Sequence, residues 1–400
     1  MNQICSREDG SFYLFDIAKL KERMAYLRSR LPQKMRICYA VKANPFLSPY
    51  IREEADRFEV CSPGEAEICC FQGIPAEKTV ISGVYKTPSA IREMLLCSDD
   101  RIFTVESMTQ YRMFCSFSQE RAKPIPLLLR LTNDSQFGMN QEEIEQILTE
   151  RNENPELLFL GIQFFSGTQK FSAKKLAREL EKLDAFLTKL RLEIGYRAEE
   201  LEYGTGFPVA YFQDEDFPEE EYLSVFRTAA EQMENRVDFT IELGRSIAAE
   251  CGSFFTPVVD LKCNRGQNYL LTDGGMHQLS YFGQHMAMRL PFYSVVGKED
   301  WPKDRVCTVC GSLCSMNDLL MKQAPMPAVE IGDFLRFEKT GAYSITEGTA
   351  LFLSRDLPAV YIRKEDGCVE KIRDRIQTAS FNRQTTRNES ERMLSNGKTD

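Results

Sequence analysis

Arg36-Ile37-Cys38-Tyr39-Ala40-Val41-Lys42-Ala43-Asn44-Pro45 is the stretch from which the rest of the chain is read. Ile37, Tyr39 and Val41 are strand formers and Asn44-Pro45 ends the run, so the stretch reads as a buried strand. A lysine at the end of such a strand needs a reason. An ammonium is costly to bury alone, so Lys42 is paired, reaches solvent along its stem, or is used chemically. Desolvation also lowers a lysine's pKa, which suits imine formation with a carbonyl.

Outward from this strand a rhythm runs along the chain. Asp16 caps a helix through Arg28, and apolar β-rich runs end near Lys42, Val60, Gly83, Val105, Leu131, Phe165, Gly204 and Leu243. Helical stretches separate them, among them 63–71, 88–96, 141–150, 173–191 and 219–233. Such β–α alternation predicts a parallel sheet, and eight units predict a closed (β/α)8 barrel in the α/β class. A doubly wound open sheet is the rival. It would place a glycine-rich turn after the first strand, where Lys42-Ala43-Asn44 stands instead.

In such a barrel, chemistry sits at the carboxyl ends of the strands. The residues there are Lys42, Glu59, Arg130, Gln163 with Thr168, Gly204-Thr205-Gly206, and Glu242-Leu243-Gly244-Arg245. Backbone N–H groups of a Gly-Thr-Gly turn, with an arginine one strand later, fit a phosphate cradle. After about residue 250, short strands and turns replace the alternation. The expected organisation is a barrel over 16–250, an all-β domain from 1–15 with 251–382, and a polar, mobile tail over 383–400.

Composition narrows the function classes. With 43% hydrophobic and 27% charged residues the chain reads as an ordinary soluble protein. A formal net charge of −9 and no basic cluster argue against nucleic acid. No apolar run is long enough to span a bilayer, and the amino terminus has no signal-peptide pattern, so no membrane association is expected. The 13 cysteines, odd in number and irregularly spaced, fit reduced thiols and a cytoplasmic setting. With only His277 and His285 as histidines, no metal site is expected.

Taken together, these motifs resemble the fold-type III pyridoxal-phosphate enzymes, in the branch of ornithine, diaminopimelate and arginine decarboxylases. Tyr39 to Asn44 matches the cofactor-lysine motif and Phe58-Glu59-Val60-Cys61-Ser62 the signature of the second strand. Ser166-Gly167-Thr168-Gln169, Gly204 to Pro208 and Glu242 to Arg245 match the cofactor loops. Leu313-Cys314 with Asp318, and Gly341-Ala342-Tyr343, match motifs of the β domain. The resemblance covers nearly the whole chain. It implies an alanine racemase-like fold, a TIM barrel with a β domain, and pyridoxal 5'-phosphate on Lys42.

By the same resemblance, Glu242 keeps the pyridine nitrogen protonated, and Thr168, Gly206, Arg245 and Tyr343 hold the phosphate. Glu59, Arg130, Gly204 and Gly244 line the cofactor site. Phe165 stacks on the ring where the family usually has a histidine. Cys314 resembles the thiol that a partner subunit supplies to protonate the carbanion centre, implying a homodimer with composite sites; the alternative is a buried apolar thiol. Asp273, Ser315 and Asp318 stand where the family grips the substrate's distal end. Ser315 replaces a common acid, and the stretch Asp273 to Gln284 lacks the arginine of the diaminopimelate branch.

The implied activity is a carboxy-lyase (decarboxylase) acting on an amino acid with a tethered or uncharged distal end, as in the sub-branch that takes carrier-protein-linked amino acids. The alternatives are decarboxylation of free diaminopimelate, lysine or ornithine, an amino acid racemase, and a catalytically silent binding protein. In the racemase branch an arginine meets the pyridine nitrogen, so Glu242 favours decarboxylation.

Overall fold

The computed structural model describes residues 2–121 and 123–384, so 385–400 of the expected tail lie outside the described residues. The chain divides into two compact units. One contains Asp16–Gly252 and Lys339–Thr346; among the described residues the other contains 2–15, Ser253–Glu338 and 347–384. Lys339–Thr346, expected from the sequence within the β domain, thus clusters with the barrel.

Strand β1 (Phe12–Asp16) belongs to the second sheet. The next eight close a parallel barrel in chain order: β2 (Arg36–Ala40), β3 (Arg57–Val60), β4 (Thr79–Ile81), β5 (Ile102–Val105), β6 (Ile125–Leu131), β7 (Leu157–Phe165), β8 (Glu200–Gly204) and β9 (Asp238–Leu243). Closure is by β9 against β2, from Arg36 opposite Thr240 to Tyr39 opposite Leu243. Five helices of this unit start at side-chain caps. Asp16, Ser62, Thr87, Ser107 and Asn140 each accept a bond from a first-turn N–H, satisfying a donor the helix leaves open.

Strand β2 ends at Ala40, earlier than the sequence suggests, and Val41–Ala43 forms a short 3-10 turn. The cause lies in Asn44-Pro45. Asn44 caps the next turn by accepting from Phe46 N at 3.1 Å, and its amide donates to Gly341 O at 2.8 Å. Both bonds draw the chain out of the sheet, so Lys42 stands on the turn at the barrel mouth.

The barrel interior is not wholly apolar. Arg57 on β3 is buried against Glu200 on β8, with Nη2 to Oε2 at 2.9 Å, and Thr240 Oγ1 donates to Glu200 Oε1 at 2.9 Å. Desolvated charges persist inside a protein when matched and hydrogen-bonded in this way.

In the second unit follow β10 (Gly252–Asn264), β11 (Gln267–Thr272), β12 (Tyr293–Val295), β13 (Arg305–Cys310), β14 (Leu319–Met326), β15 (Phe334–Glu338), β16 (Ala359–Arg363) and β17 (Val369–Arg373). The strand order is β14-β13-β11-β10-β1-β16-β17, with β15 joining β10 to β12. Most pairs are antiparallel; β11 and β13 run parallel. Phe12, Leu14, Phe255, Phe334, Ala359 and Tyr361 form a core here, with Phe12 stacked on Phe255 at 4.8 Å.

Candidate active site

At the carboxyl ends of the barrel strands, the sequence-predicted side chains meet in pairs. Lys42 Nζ lies 2.5 Å from Glu59 Oε2, and Cys61 Sγ is 3.4 Å from both Lys42 Nζ and Glu59 Oε1. The Lys42 side chain is 42% exposed at the mouth; that of Glu59 is 4% exposed. Desolvation pulls the Lys42 pKa down, but Glu59, then Cys61, Tyr343 and Glu242 push it up harder. The ammonium therefore titrates well above an ordinary lysine. This corrects the expectation of a lowered pKa: the anion beside the amine outweighs its burial. Glu59 is raised by burial, and Lys42 more than reverses this, so its carboxyl titrates below the usual range.

Glu242, on β9, is buried and accepts from Gln163 Nε2 on β7. Burial, then Glu59, raise its pKa; Lys42, Glu202 and Gln163 act against them. Glu202 on β8 is fully buried beside it. Glu202 Oε2 is 3.4 Å from Arg57 Nη1, but Arg57 is matched by Glu200, and Glu202 Oε1 finds no donor. Burial first, then Glu242 and Glu200, hold the Glu202 carboxyl well above the carboxylate range. Burial and the neighbouring charge of Glu242 thus both favour the neutral form of Glu202.

Arg245 Nε donates to Thr168 Oγ1 at 3.3 Å and Nη1 to Tyr211 Oη at 2.9 Å. Its guanidinium lies 4.5 Å from the centre of the Tyr343 ring. Tyr343 is held in turn by its N–H on Ala43 O at 2.7 Å. Gly206 has φ +63°, and a Cβ there would come within 2.1 Å of Gly167 O. At Gly204 a Cβ would meet the Phe165 ring at 2.5 Å, so only glycine lets this aromatic lie over the β8 end. Gly244 packs against Ala43 between Glu242 and Arg245.

Arg130 does not join these pairs directly. Its Nη1 donates to Glu106 Oε1 at 2.9 Å, its guanidinium stacks over Phe137 at 4.8 Å, and its charge helps lower Glu59. Glu106, Lys86, Glu202 and Tyr211 escape the sequence reading. Lys86 is buried, donates to Gly83 O at 2.6 Å and Thr104 Oγ1 at 3.2 Å, and is lowered by burial to about 8. Glu106 and Lys86 carry the signal that marked Lys42, a charge just past an apolar strand. Glu202 sits mid-strand in Leu201-Glu202-Tyr203, where only the inward register gives it meaning.

In the second unit Cys314 and Ser315 are exposed on the single chain. Ser315 Oγ accepts from Asn317 N at 3.2 Å. Asp318 is buried, and its oxygens accept from Met276 N and Leu313 N, each at 2.7 Å. Asp273 accepts from Ser11 N at 2.8 Å and faces Arg355 at 3.2 Å and Arg375 at 3.6 Å. Among the described residues no helix is long and apolar enough to cross a membrane.

Comparison with known proteins accords with this geometry. The chain is 25% identical over 398 residues to the L-glutamyl-[BtrI acyl-carrier protein] decarboxylase of Niallia circulans, covering 92% of each chain. It is 27% identical over 359 residues to the diaminopimelate decarboxylase of Helicobacter pylori, covering 83% of this chain and 85% of that one. The crystal structure of the M. jannaschii diaminopimelate decarboxylase superposes with a TM-score of 0.84 at 19% identity, over 96% of this chain and 94% of that one. The family model described as the pyridoxal binding domain of pyridoxal-dependent decarboxylases matches residues 17–249. With more than half of its length inside that family model, the chain belongs to the pyridoxal-dependent decarboxylases, carboxy-lyases that act on amino acids with pyridoxal phosphate as cofactor.

Proposed function

We propose that this enzyme decarboxylates an α-amino acid whose distal end is tethered, as to a carrier protein, or uncharged. The carrying observation is how the candidate substrate carboxylates are engaged. Both Asp318 oxygens hold backbone N–H groups, and Asp273 is neutralised by Arg355 and Arg375. A distal ammonium leaving water needs a free carboxylate, and these two are committed elsewhere. Ser315, beside Cys314, is exposed and uncharged, which suits an amide or thioester arm. The relative from Niallia circulans, named for a carrier-linked glutamyl substrate, supports the same reading.

The residues present fit the cofactor. Gly206 leaves a backbone cradle that a Cβ would fill, Arg245 is a buried cation beside hydroxyls, and Glu242 is a buried carboxyl facing inward. When bound, pyridoxal phosphate supplies an electrophilic carbon and a ring that takes up the electron pair left when carbon dioxide departs. Lys42 Nζ would hold the cofactor covalently through that carbon, and Glu59, 2.5 Å away, orients the amine. Thr168, Gly206, Arg245 and Tyr343 bind the phosphate. Glu242 would hold a proton on the pyridine nitrogen, and Phe165 would pack on the ring. Arg130 acts at a distance by lowering Glu59. Cys314 Sγ of a partner subunit returns a proton to the α-carbon, so the working form is a homodimer with composite sites. All 13 cysteines are free, which supports a reducing, cytoplasmic setting.

The substrate test compares kcat/KM on free diaminopimelate, lysine and ornithine with kcat/KM on carrier- or pantetheine-linked amino acids. Higher efficiency on the linked set is expected. Efficient turnover of a free basic amino acid would refute the tethered substrate and leave decarboxylation standing.

A further inference from the structure

The loop after β7 and the loop after β8 are joined by a side chain that touches no candidate ligand. Gln169 Nε2 donates to Val209 O at 3.0 Å, and Gln169 Oε1 accepts from Val209 N at 2.7 Å. One amide thus pairs with both backbone groups of a single residue, as a β-bridge partner would. Gln169 takes this position at φ +54°, in the left-handed region that non-glycine residues seldom occupy. Next along the chain, Lys170 N donates to Gly206 O at 3.0 Å. The Lys170 ammonium is tied to Ser166 Oγ at 2.5 Å and Glu179 Oε2 at 2.8 Å, and Tyr222 Oη donates to Lys170 O at 2.7 Å.

These bonds bracket the groups that matter. Thr168 directly precedes Gln169, and Gly206 lies between β8 and Val209. Without the Gln169 bridge, the loops carrying the Thr168 hydroxyl and the Gly206 N–H would lose two of the bonds that join them, keeping the one from Lys170 N to Gly206 O. With it they are held together before any anion arrives, so binding need not order them. A left-handed backbone at a non-glycine residue persists where surrounding contacts over-determine it, and here both amide atoms of the side chain supply those contacts.

We infer that Gln169 is a positioning residue that pre-assembles the phosphate cradle by clamping the β7 and β8 loops through Val209. The inference rests on the proposed phosphate role of Thr168, Gly206 and Arg245. It makes a distinct demand: loss of the clamp should weaken binding of a phosphorylated ligand and leave its dephosphorylated counterpart unaffected.

The test titrates apo-enzyme with pyridoxal phosphate and with pyridoxal, which lacks the phosphate, following the visible band of the protein-bound ligand. The parent, Gln169→Leu, Gln169→Glu and Arg245→Ala are compared. Gln169→Leu removes both bonds, and a weakening of about tenfold for pyridoxal phosphate is expected, with pyridoxal unchanged. Gln169→Glu is nearly isosteric; it keeps acceptance from Val209 N but cannot donate to Val209 O, and should show the same selective loss. It carries the test if Gln169→Leu fails to fold. Arg245→Ala is the cradle control and should show the larger selective loss. Selective loss in Arg245→Ala with none in the Gln169 variants overturns the clamp and leaves the cradle intact. Equal weakening of both ligands in the Gln169 variants makes the residue merely structural and also overturns it. No selectivity in Arg245→Ala overturns the cradle itself.

Discussion

The two sides of the barrel mouth meet opposite electrostatic demands. Around Arg245 a buried cation meets the Thr168 and Tyr211 hydroxyls and the Tyr343 ring face. Around Lys42 the carboxyls of Glu59 and Glu242 gather, with Glu202 next to Glu242, while Arg57 is already matched by Glu200. A buried cation beside hydroxyl acceptors and a ring face suits an anion. Carboxyls in excess of cations must share protons or hold a cationic partner. The cofactor has that polarity, a phosphate at one end and a basic ring nitrogen at the other. In the proposed site the Arg245 side would serve affinity and the Lys42 side chemistry, on separate sides of one rim.

The sharpest way to break this comparison is Glu242→Gln. The amide keeps the shape but cannot hold a proton on the ring nitrogen, so turnover should fall about a hundred- to a thousandfold while the visible cofactor band remains. Parent-like turnover would make Glu242 only structural. Whether both sides act with a thiol from another chain is a separate question. Mixing inactive Lys42→Ala with inactive Cys314→Ala should restore up to about a quarter of parental activity, since half of the randomly assorted dimers carry one complete site each. No recovery after verified subunit exchange would place all catalytic groups within one chain.

The smallest effect concerns Glu202. Its folded-state pKa lies above the unfolded value, so the stability it contributes is full below about pH 4.3 and is lost as pH rises through the folded value. Glu202→Gln removes that dependence. The variant should gain on the parent by up to about 1.4 kcal/mol per pH unit in that window, measured by denaturant unfolding across pH. A difference independent of pH would show that Glu202 is ionised in the fold.

Much of the fold was legible because it repeats. All eight barrel strands lie within a few residues of their expected ends, since β–α alternation is written in local apolar runs and caps. The β unit was less legible. The sequence places short strands at 254–262, 269–272, 305–310, 333–337 and 359–363, where β10, β11, β13, β15 and β16 lie, but β12, β14 and β17 do not appear in that reading. Leu319-Leu320-Met321-Lys322-Gln323-Ala324-Pro325-Met326 carries a proline, which sequence rules set against a strand. Its pairing with β13 overrides that local signal. At the site, Lys42, Glu59, Thr168, Glu242, Arg245 and Tyr343 were legible through their motifs, whereas Glu106, Lys86 and Tyr211 carry no motif and are brought in by packing.

The sequence by itself determined the alternation that closes the barrel, the lysine that follows β2, the glycines after β8 and β9, and the order of the motifs. These are properties of neighbours along the chain. Only the tertiary structure decided that Glu59 pairs with Lys42 and raises its pKa, that burial and Glu242 raise that of Glu202, and that Gln169 ties two loops together. Charge state and loop spacing depend on which groups meet across the barrel and how much water they exclude, and strands distant in sequence set both.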